Sequence, residues 1–335
     1  MRIEGSSILV TGGAGFIGSH IVDSLVNLGA RVRVYDNFSF GSYENLKHLG
    51  DRIEIVKGDI LNYDALLQAM RGVDFVSHHA AQLEIFRSTK DPYDDLQVNT
   101  VGTLNVLLAA KECGIKKLIN ASSACVYGQV EGLTHEMHYP RPNWPYGVSK
   151  LAAEKYGDIY NDYHDLPVVS FRYGITYGER EWFRRVLTIF IKRAILGLPL
   201  VVFGDGSQVR DFIYVGDVVR LHNICLENER ANGQAYNVGT GTGTTIAQLA
   251  QEVIKASNKN LELIYENTPE GEFSKLVPDK KRNDAELKVM LLDITKAQTE
   301  LGWQPTTSLF EGLQREILWA TENIHRWEKV LYTVV

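Results

Sequence analysis

Tyr146 and Lys150 stand one helical turn apart in Tyr146-Gly147-Val148-Ser149-Lys150. On a helix, that spacing puts both side chains on one face. A phenol loses its proton near pH 10 in water, so it acts as a base only where positive charge favours the phenolate. An ammonium one turn away meets that need, as would a second cation in the same cleft. A tyrosine and a lysine at this spacing are common, and an isolated match is a surface pair. Here Ser122-Ser123-Ala124-Cys125-Val126-Tyr127-Gly128 follows the apolar run Lys117–Ala121. In a parallel sheet, ligands bind beyond the carboxyl ends of the strands. A hydroxyl there can hydrogen-bond a substrate oxygen that gives up a proton. Ser123 is preferred for that place, with Ser122 ending the strand.

A second group of residues points to a bound phosphate. Thr11-Gly12-Gly13-Ala14-Gly15-Phe16-Ile17-Gly18 lies between a strand pattern and an amphipathic helix. Gly12, Gly15 and Gly18 permit a tight turn and let backbone N–H groups approach a pyrophosphate, which the helix N-terminus also attracts. Glycine spacing alone is weak; the strand before it and the helix after it give it meaning. Asp36 follows the second strand, where a carboxylate binds ribose hydroxyls and repels a 2′-phosphate. The cofactor expected is NAD, not NADP. Asp59, after the third strand, is expected near the adenine, or serves as a helix cap.

The elements that must position these residues alternate. Ile8–Thr11, Arg31–Tyr35, Ile53–Lys57, Phe75–His78, Lys117–Ala121 and Val168–Arg172 read as strands. Helical patterns at Ile17–Leu28, Ala65–Met70, Val101–Cys113 and Lys150–Tyr163 separate most of them, and Gly29 and Gly114 stand where left-handed caps are expected. The fold class is α/β, a Rossmann-type doubly wound parallel sheet. After Tyr177 the pattern changes. A dinucleotide-binding domain over 1–178 and a smaller α/β substrate domain over 179–335 are expected, with strands such as Ala235–Val238 returning to the first sheet. A closing turn and helix are expected over Leu301–Trp327.

The chain has 335 residues, 44% hydrophobic and 23% charged, with a net charge of −6. It carries no global cationic field for nucleic acid. Val186–Phe203, the most apolar later stretch, is broken by Lys192, Arg193 and Pro199; it reads as a helix and a strand, not a membrane span. Cys113, Cys125 and Cys225 form no C-x-x-C pair and read as reduced thiols of a cytoplasmic protein without a removable leader. His78 and His79 lack partners at ligand spacing, so no metal is expected.

Taken together, these residues resemble the extended short-chain dehydrogenase/reductase family, specifically its nucleotide-sugar epimerases and dehydratases. The resemblance runs along nearly the whole chain. It covers the glycine loop, Asp36-Asn37, Asp59-Ile60, His79-Ala80-Ala81-Gln82, Asn99, Ser123, Tyr146 and Lys150. It continues through Arg172-Tyr173, Gly204-Asp205-Gly206, Arg210-Asp211-Phe212-Ile213-Tyr214-Val215 and Leu301-Gly302-Trp303. It implies that Tyr146 is the acid/base, that Lys150 lowers its pKa and holds the nicotinamide ribose, and that Ser123 positions the sugar hydroxyl. It implies NAD contacts from Gly12, Gly15, Phe16, Ile17, Gly18, Asp36, Asn37, Asp59, Ile60, Ala80, Ala81, Gln82, Asn99, Tyr146, Lys150 and Tyr173. Gln82, Ser123 and Tyr146 would also meet the substrate. Arg210 and Arg282 resemble the family's nucleotide-diphosphate arginines, whose forked donors suit that group.

Dehydratases of this family carry an Asp-Glu pair directly after the catalytic hydroxyl residue, and its decarboxylases a glutamate in the second of those places. This chain has Ala124 and Cys125. The resemblance therefore implies a 4-epimerase of UDP-hexoses or UDP-uronates, working through a transient 4-keto sugar. Another enzyme of the family (a reductase, a dehydrogenase or an atypical dehydratase) stays open, as does a non-catalytic NAD sensor. Ile175 stands where asparagine is usual, Glu179 where proline is common and Trp144 where serine is frequent. Arg180, Arg184 and Arg185 suit either an acidic sugar or a solvated turn. Tyr156, Tyr160 and Tyr163 read as core or dimer contacts. Family resemblance implies a homodimer through Val101–Cys113 and Lys150–Tyr163.

Overall fold

A computed structural model describes residues 1–181, 185–278, 280–282 and 287–326. The six runs of the first half are parallel strands: β1 (Ser7–Thr11), β2 (Arg31–Asp36), β3 (Ile53–Lys57), β4 (Phe75–His78), β5 (Lys117–Ser123) and β6 (Val168–Tyr173). β7 (Ala235–Val238) returns from the second half and pairs in parallel with β6. The order across the sheet is β7-β6-β5-β4-β1-β2-β3. Every residue of β4 and β6 is buried. That is why those strands read as unbroken runs, not as alternation. The strand order reverses beside β1, which opens a crevice at the carboxyl ends of β1 and β4.

Helices cover both faces. α1 (Phe16–Asn27) and α5 (Val215–Glu227) share one core, in which Ile21, Val22 and Leu25 meet Val218, Leu221 and Leu226. α2 (Tyr63–Met70), α3 (Gly102–Glu112) and α4 (Pro145–Tyr163) cover the other face, through Leu66, Met70, Val106, Leu107 and Tyr160. α4 begins earlier than its periodicity suggests. Pro145 opens it, because a first-turn residue needs no backbone N–H. Tyr146 is thereby fixed in the first turn.

After residue 178 the chain is shared between two hydrophobic cores, since α5 packs against the first sheet and β7 joins it. The second unit packs helices Val186–Ile195, Ile246–Ala256 and Leu309–Glu322 against two short parallel pairs, Leu200–Phe203 with Leu263–Glu266 and Ile175–Tyr177 with Phe212–Tyr214. Phe16, the first residue of α1, is buried in the same cluster, so this unit rests on the phosphate-loop helix. The closing segment expected over Leu301–Trp327 differs. Gly302, at φ +66, ends a helix Thr295–Leu301 in the left-handed conformation, and a new helix runs Leu309–Glu322. Trp327 lies outside the described residues. Among those residues no helix is long and apolar enough to cross a membrane.

Candidate active site

The end of β5 and the first turns of α4 bring three side chains together. Ser123, Tyr146 and Lys150 are all buried. The Ser123 hydroxyl accepts from the Cys125 N–H at 3.1 Å and reaches the Tyr146 phenol. Lys150 Nζ donates to the Ala121 carbonyl at 2.9 Å. The neighbouring Ser122 is committed elsewhere: its hydroxyl donates to Glu154 Oε2 at 2.8 Å. Burial dominates the proton affinities of the protein alone. It pushes the Tyr146 phenol above its ordinary value, an effect the Cys125 thiol adds to, while the Ser123 contact and the Arg185 charge oppose it. Burial pulls Lys150 down to about 8, and the Asp95 carboxylate works against that fall. A phenolate at Tyr146 therefore needs more positive charge than the chain itself supplies.

The crevice beside this trio fits a dinucleotide. Gly12 sits at φ +68, and a Cβ there would fall 2.6 Å from the Ala80 nitrogen. At Gly18 a Cβ would fall 2.2 Å from the Gly12 carbonyl oxygen. Only glycine lets β1, the loop and α1 meet this closely. The N-cap of α1 is Gly15, with no side-chain cap and no acidic residue in the first turn, so its N-terminal N–H groups face the loop as an anion site. Phe16 and Ile17 open that turn. Asp36, at the end of β2, accepts from the Ala14 N–H at 2.9 Å and the Phe38 N–H at 2.8 Å. The same carboxylate that suits a ribose thus also shapes the loop. Asn37 donates to Asp59 Oδ2 at 2.9 Å, and Asp59 Oδ1 accepts from the Leu61 N–H at 2.9 Å. Ile60 is buried against Gly102. These residues fit the adenosine half of NAD.

Beyond β4, Ala80 and Ala81 are half-buried at the crevice edge. Gln82 and Asn99 are buried and tied to each other and to Asp95. The Gln82 N–H donates to Asn99 Oδ1 at 2.9 Å, and Asn99 Nδ2 donates to the Gln82 carbonyl at 3.1 Å. Gln82 Nε2 donates to Asp95 Oδ1 at 2.9 Å. Asn99 therefore holds the backbone of the crevice wall. Asp95 did not emerge from the sequence, because a carboxylate in an acidic stretch such as Asp91-Pro92-Tyr93-Asp94-Asp95 carries no signal until its burial is known.

The three strand-end and helix histidines are hydrogen-bonding groups, and the geometry fixes their tautomers. Asn223 Nδ2 donates to Ser24 Oγ at 2.7 Å, which turns its oxygen toward His222 Nδ1 at 3.1 Å. His222 Nδ1 must then carry the proton, and its Nε2 accepts from Ser77 Oγ at 2.9 Å. Ser77 Oγ in turn accepts from His79 Nδ1 at 3.1 Å, and His79 Nε2 accepts from the Tyr173 hydroxyl at 2.9 Å. His78 is reversed. Thr103 Oγ1 donates to the Asn99 carbonyl at 2.6 Å, so it accepts from His78 Nε2 at 3.0 Å, and Thr11 donates to His78 Nδ1. Burial lowers the proton affinity of all three rings, that of His222 to about 4 and of His78 to about 3. We predict that histidine ¹H–¹⁵N NMR at pH 7 shows His79 and His222 neutral with Nδ1–H, and His78 neutral with Nε2–H. An Nε2–H form at His79 or His222 would break the chain and refute this assignment.

Arg210 Nη1 donates to the Val209 carbonyl at 2.9 Å, and its charge, with that of Arg185, acts on Cys125. Arg282 Nη1 donates to the Thr268 carbonyl at 2.8 Å, beside Gly204. Arg180, at φ +70, pairs with Asp23 of α1 at 2.6 Å. It braces α1 rather than the sugar side. Arg185 Nη1 lies 3.6 Å from Glu181 Oε1; Arg184 lies outside the described residues. Glu179, where proline is common, accepts from the Tyr214 hydroxyl at 2.8 and 3.0 Å. Ile175 pairs in strand register with Phe212. Trp144 is half-buried and is the N-cap residue of α4.

Residues 8–239 match the family described as NAD dependent epimerase/dehydratase. A UDP-glucose 4-epimerase structure from Thermotoga maritima, with UDP-glucose, is 33% identical, with a TM-score of 0.86 over 95% of this chain and 99% of that one. The Thermus thermophilus UDP-glucose 4-epimerase, in complex with NAD, is 34% identical, with a TM-score of 0.83 over 95% of this chain and 99% of that one. A dTDP-glucose 4,6-dehydratase of an Actinoplanes species is 32% identical over 333 residues, covering 96% of this chain and 99% of that protein.

Proposed function

The chain belongs to the NAD dependent epimerase/dehydratase family, and on that premise we propose that it is a nucleotide-sugar 4-epimerase. The observation that carries this reading is the pair Ala124 and Cys125. Both follow Ser123 directly and both are buried beside it. The family resemblance implies a carboxylate there for elimination or decarboxylation. This chain offers a methyl group and a thiol whose proton burial holds in place. Bound NAD supplies the acceptor and then the donor of hydride. The chain's own residues move the proton. Ser123 hydrogen-bonds the C4 hydroxyl and orients it toward Tyr146. Tyr146 takes its proton and later returns it, and Lys150 holds positive charge beneath the phenol and the ribose. Arg210 and Arg282 hold the diphosphate, and UDP is the nucleotide we propose. Rotation of the 4-keto sugar within the pocket presents its opposite face to the returning hydride, and C4 is inverted.

The test is incubation of the purified protein with UDP-glucose, UDP-GlcNAc and UDP-glucuronate, with and without NAD, followed by NMR of the sugar carbons. The expected result is the C4 epimer of one sugar with no net NADH. Accumulation of NADH, or of a keto or deoxy product, overturns the reading in favour of a dehydrogenase or dehydratase.

We propose further that the chain forms a homodimer through α3 and α4. Leu108, Val148, Tyr156, Ile159 and Tyr163 are exposed hydrophobic residues on these two helices. A second copy of the same pair would cover them in a four-helix arrangement. Sedimentation velocity at micromolar concentration should give one species of twice the chain mass; a monomer removes the proposal.

A further inference from the structure

One buried carboxylate has no part in the chemistry above. Asp95 is 1% exposed. It ends the short helix Pro92–Asp95 and leads directly into the wide turn Leu96–Val101 that carries Asn99. Its Oδ1 accepts from Gln82 Nε2 and Asn99 Nδ2, each at 2.9 Å. Its Oδ2 is buried with no hydrogen-bond partner among the described residues. Asn99 Nδ2 also reaches Ser149 Oγ at 3.2 Å, and Ser149 Oγ donates to the Tyr146 carbonyl at 3.0 Å. The carboxylate thus sits under the one turn of α4 that holds both Tyr146 and Lys150.

Its charge state follows from these partners. Burial raises the Asp95 carboxyl above its ordinary value, and the Ser149 hydroxyl, Gln82, the Lys150 charge and Asn99 oppose that rise. An ionised carboxylate, out of water, needs a nearby cation. Lys150 is that cation. The charged and titratable groups acting on Lys150 are Asp95 from the preceding helix and His78 and His79 from the end of β4, with Tyr146 one turn earlier on α4. Burial keeps both histidines neutral and Tyr146 protonated. Asp95 is the one negative charge in this set.

We propose that Asp95 is the positioning residue of the site: one oxygen ties Gln82 to Asn99, which in turn holds Ser149, and the carboxylate as a whole is the counter-charge of the Lys150 ammonium. The link to catalysis rests on the reading of Tyr146 and Lys150 given above, so the first measurement does not use the reaction. The full-length protein is labelled with ¹³C-lysine, and Lys150 is identified by its loss in Lys150→Arg. Its titration is then followed in the wild type and in Asp95→Asn, which keeps shape and removes charge. Loss of the negative charge should lower the Lys150 midpoint by about one pH unit or more, a tenfold change in proton affinity. With an active substrate, the alkaline limb of kcat moves the same way, so the deficit of the variant grows as pH rises from 6 to 8.5. Asp95→Glu, which retains the charge in a disturbed cluster, should leave the midpoint within about half a unit of the wild type. An unmoved midpoint in Asp95→Asn, or a rate loss equal at every pH, overturns the proposal; should that variant fail to fold, a large shift in Asp95→Glu overturns it. A moved midpoint in a protein that converts no nucleotide sugar leaves Asp95 as the counter-charge and removes the epimerase reading instead.

Discussion

Tyr146→Phe should lower kcat by about a thousandfold while leaving NAD affinity within about threefold of the wild type, because it removes one proton carrier and little packing. The ring is buried and its neighbours stay in contact, so the folded state loses only a hydroxyl. That hydroxyl is the group Ser123 reaches and the one whose affinity for a proton burial has raised. A buried phenol is a poor base until positive charge accumulates around it. Lys150, held near 8, supplies part of that charge, and the oxidised nicotinamide, when bound, the rest. Two consequences separate this role from a structural one. KM should change less than kcat, since the proton moves only in the transition state. The residual activity should also lose the wild-type acid limb, in which rate falls as Tyr146 becomes protonated. A loss of less than about tenfold would leave Tyr146 without the acid/base role.

What the sequence disclosed follows from how local each feature is. The glycine loop, Asp36 and the Tyr146–Lys150 spacing depend on neighbours within one turn or one strand, and they are legible in order. The strands of the central sheet were legible because parallel strands covered on both faces leave continuous apolar runs. Other features depend on contacts between distant segments. Ser122 is committed to Glu154, a helix and a loop away, a contact that no local spacing foretells. His222 reads as a polar residue on an amphipathic helix until Ser77 and Asn223 are seen to bracket it. Asp95 is one of several acids in a short stretch, and only its burial distinguishes it. The departures from the family pattern behave the same way: Glu179 makes sense once Tyr214 lies against it. The return of β7 to the first sheet was expected and pairs it with β6, whereas the packing of α5 against α1 is a tertiary preference that periodicity alone does not carry.

Glu154→Ala should destabilise the protein by about 3–5 kcal/mol, the cost of leaving a buried guanidinium unpaired. Arg172 on β6 is 4% exposed and Glu154 on α4 is 1% exposed. The two meet in a forked pair: Arg172 Nε lies 3.1 Å from Glu154 Oε2, and Nη2 is bonded to Oε1. Arg172 Nη1 also donates to the Tyr127 hydroxyl and the Glu136 carbonyl, each at 2.8 Å. The Tyr127 hydroxyl donates to Asn237 Oδ1 on β7 at 2.7 Å. One cation, with Tyr127 as its bridge, thus joins α4, β6 and β7 next to the turn that carries Tyr146 and Lys150, and Ser122 of β5 hangs on the Glu154 carboxylate. Burial by itself would lower the proton affinity of Arg172, but Glu154 more than reverses it, so the guanidinium stays charged and must be answered. Chemical denaturation at pH 7 measures the cost. The informative comparison is the double variant Glu154→Leu/Arg172→Met, which removes both charges and fills the space with apolar groups. It should recover most of the stability lost by Glu154→Ala, because the penalty lies in the orphaned charge rather than in the missing attraction. If the double variant is less stable than Glu154→Ala, the pair itself is net stabilising. Its place next to the Tyr146 turn would then be a matter of strength, and not of fixing the angle at which α4 meets the sheet.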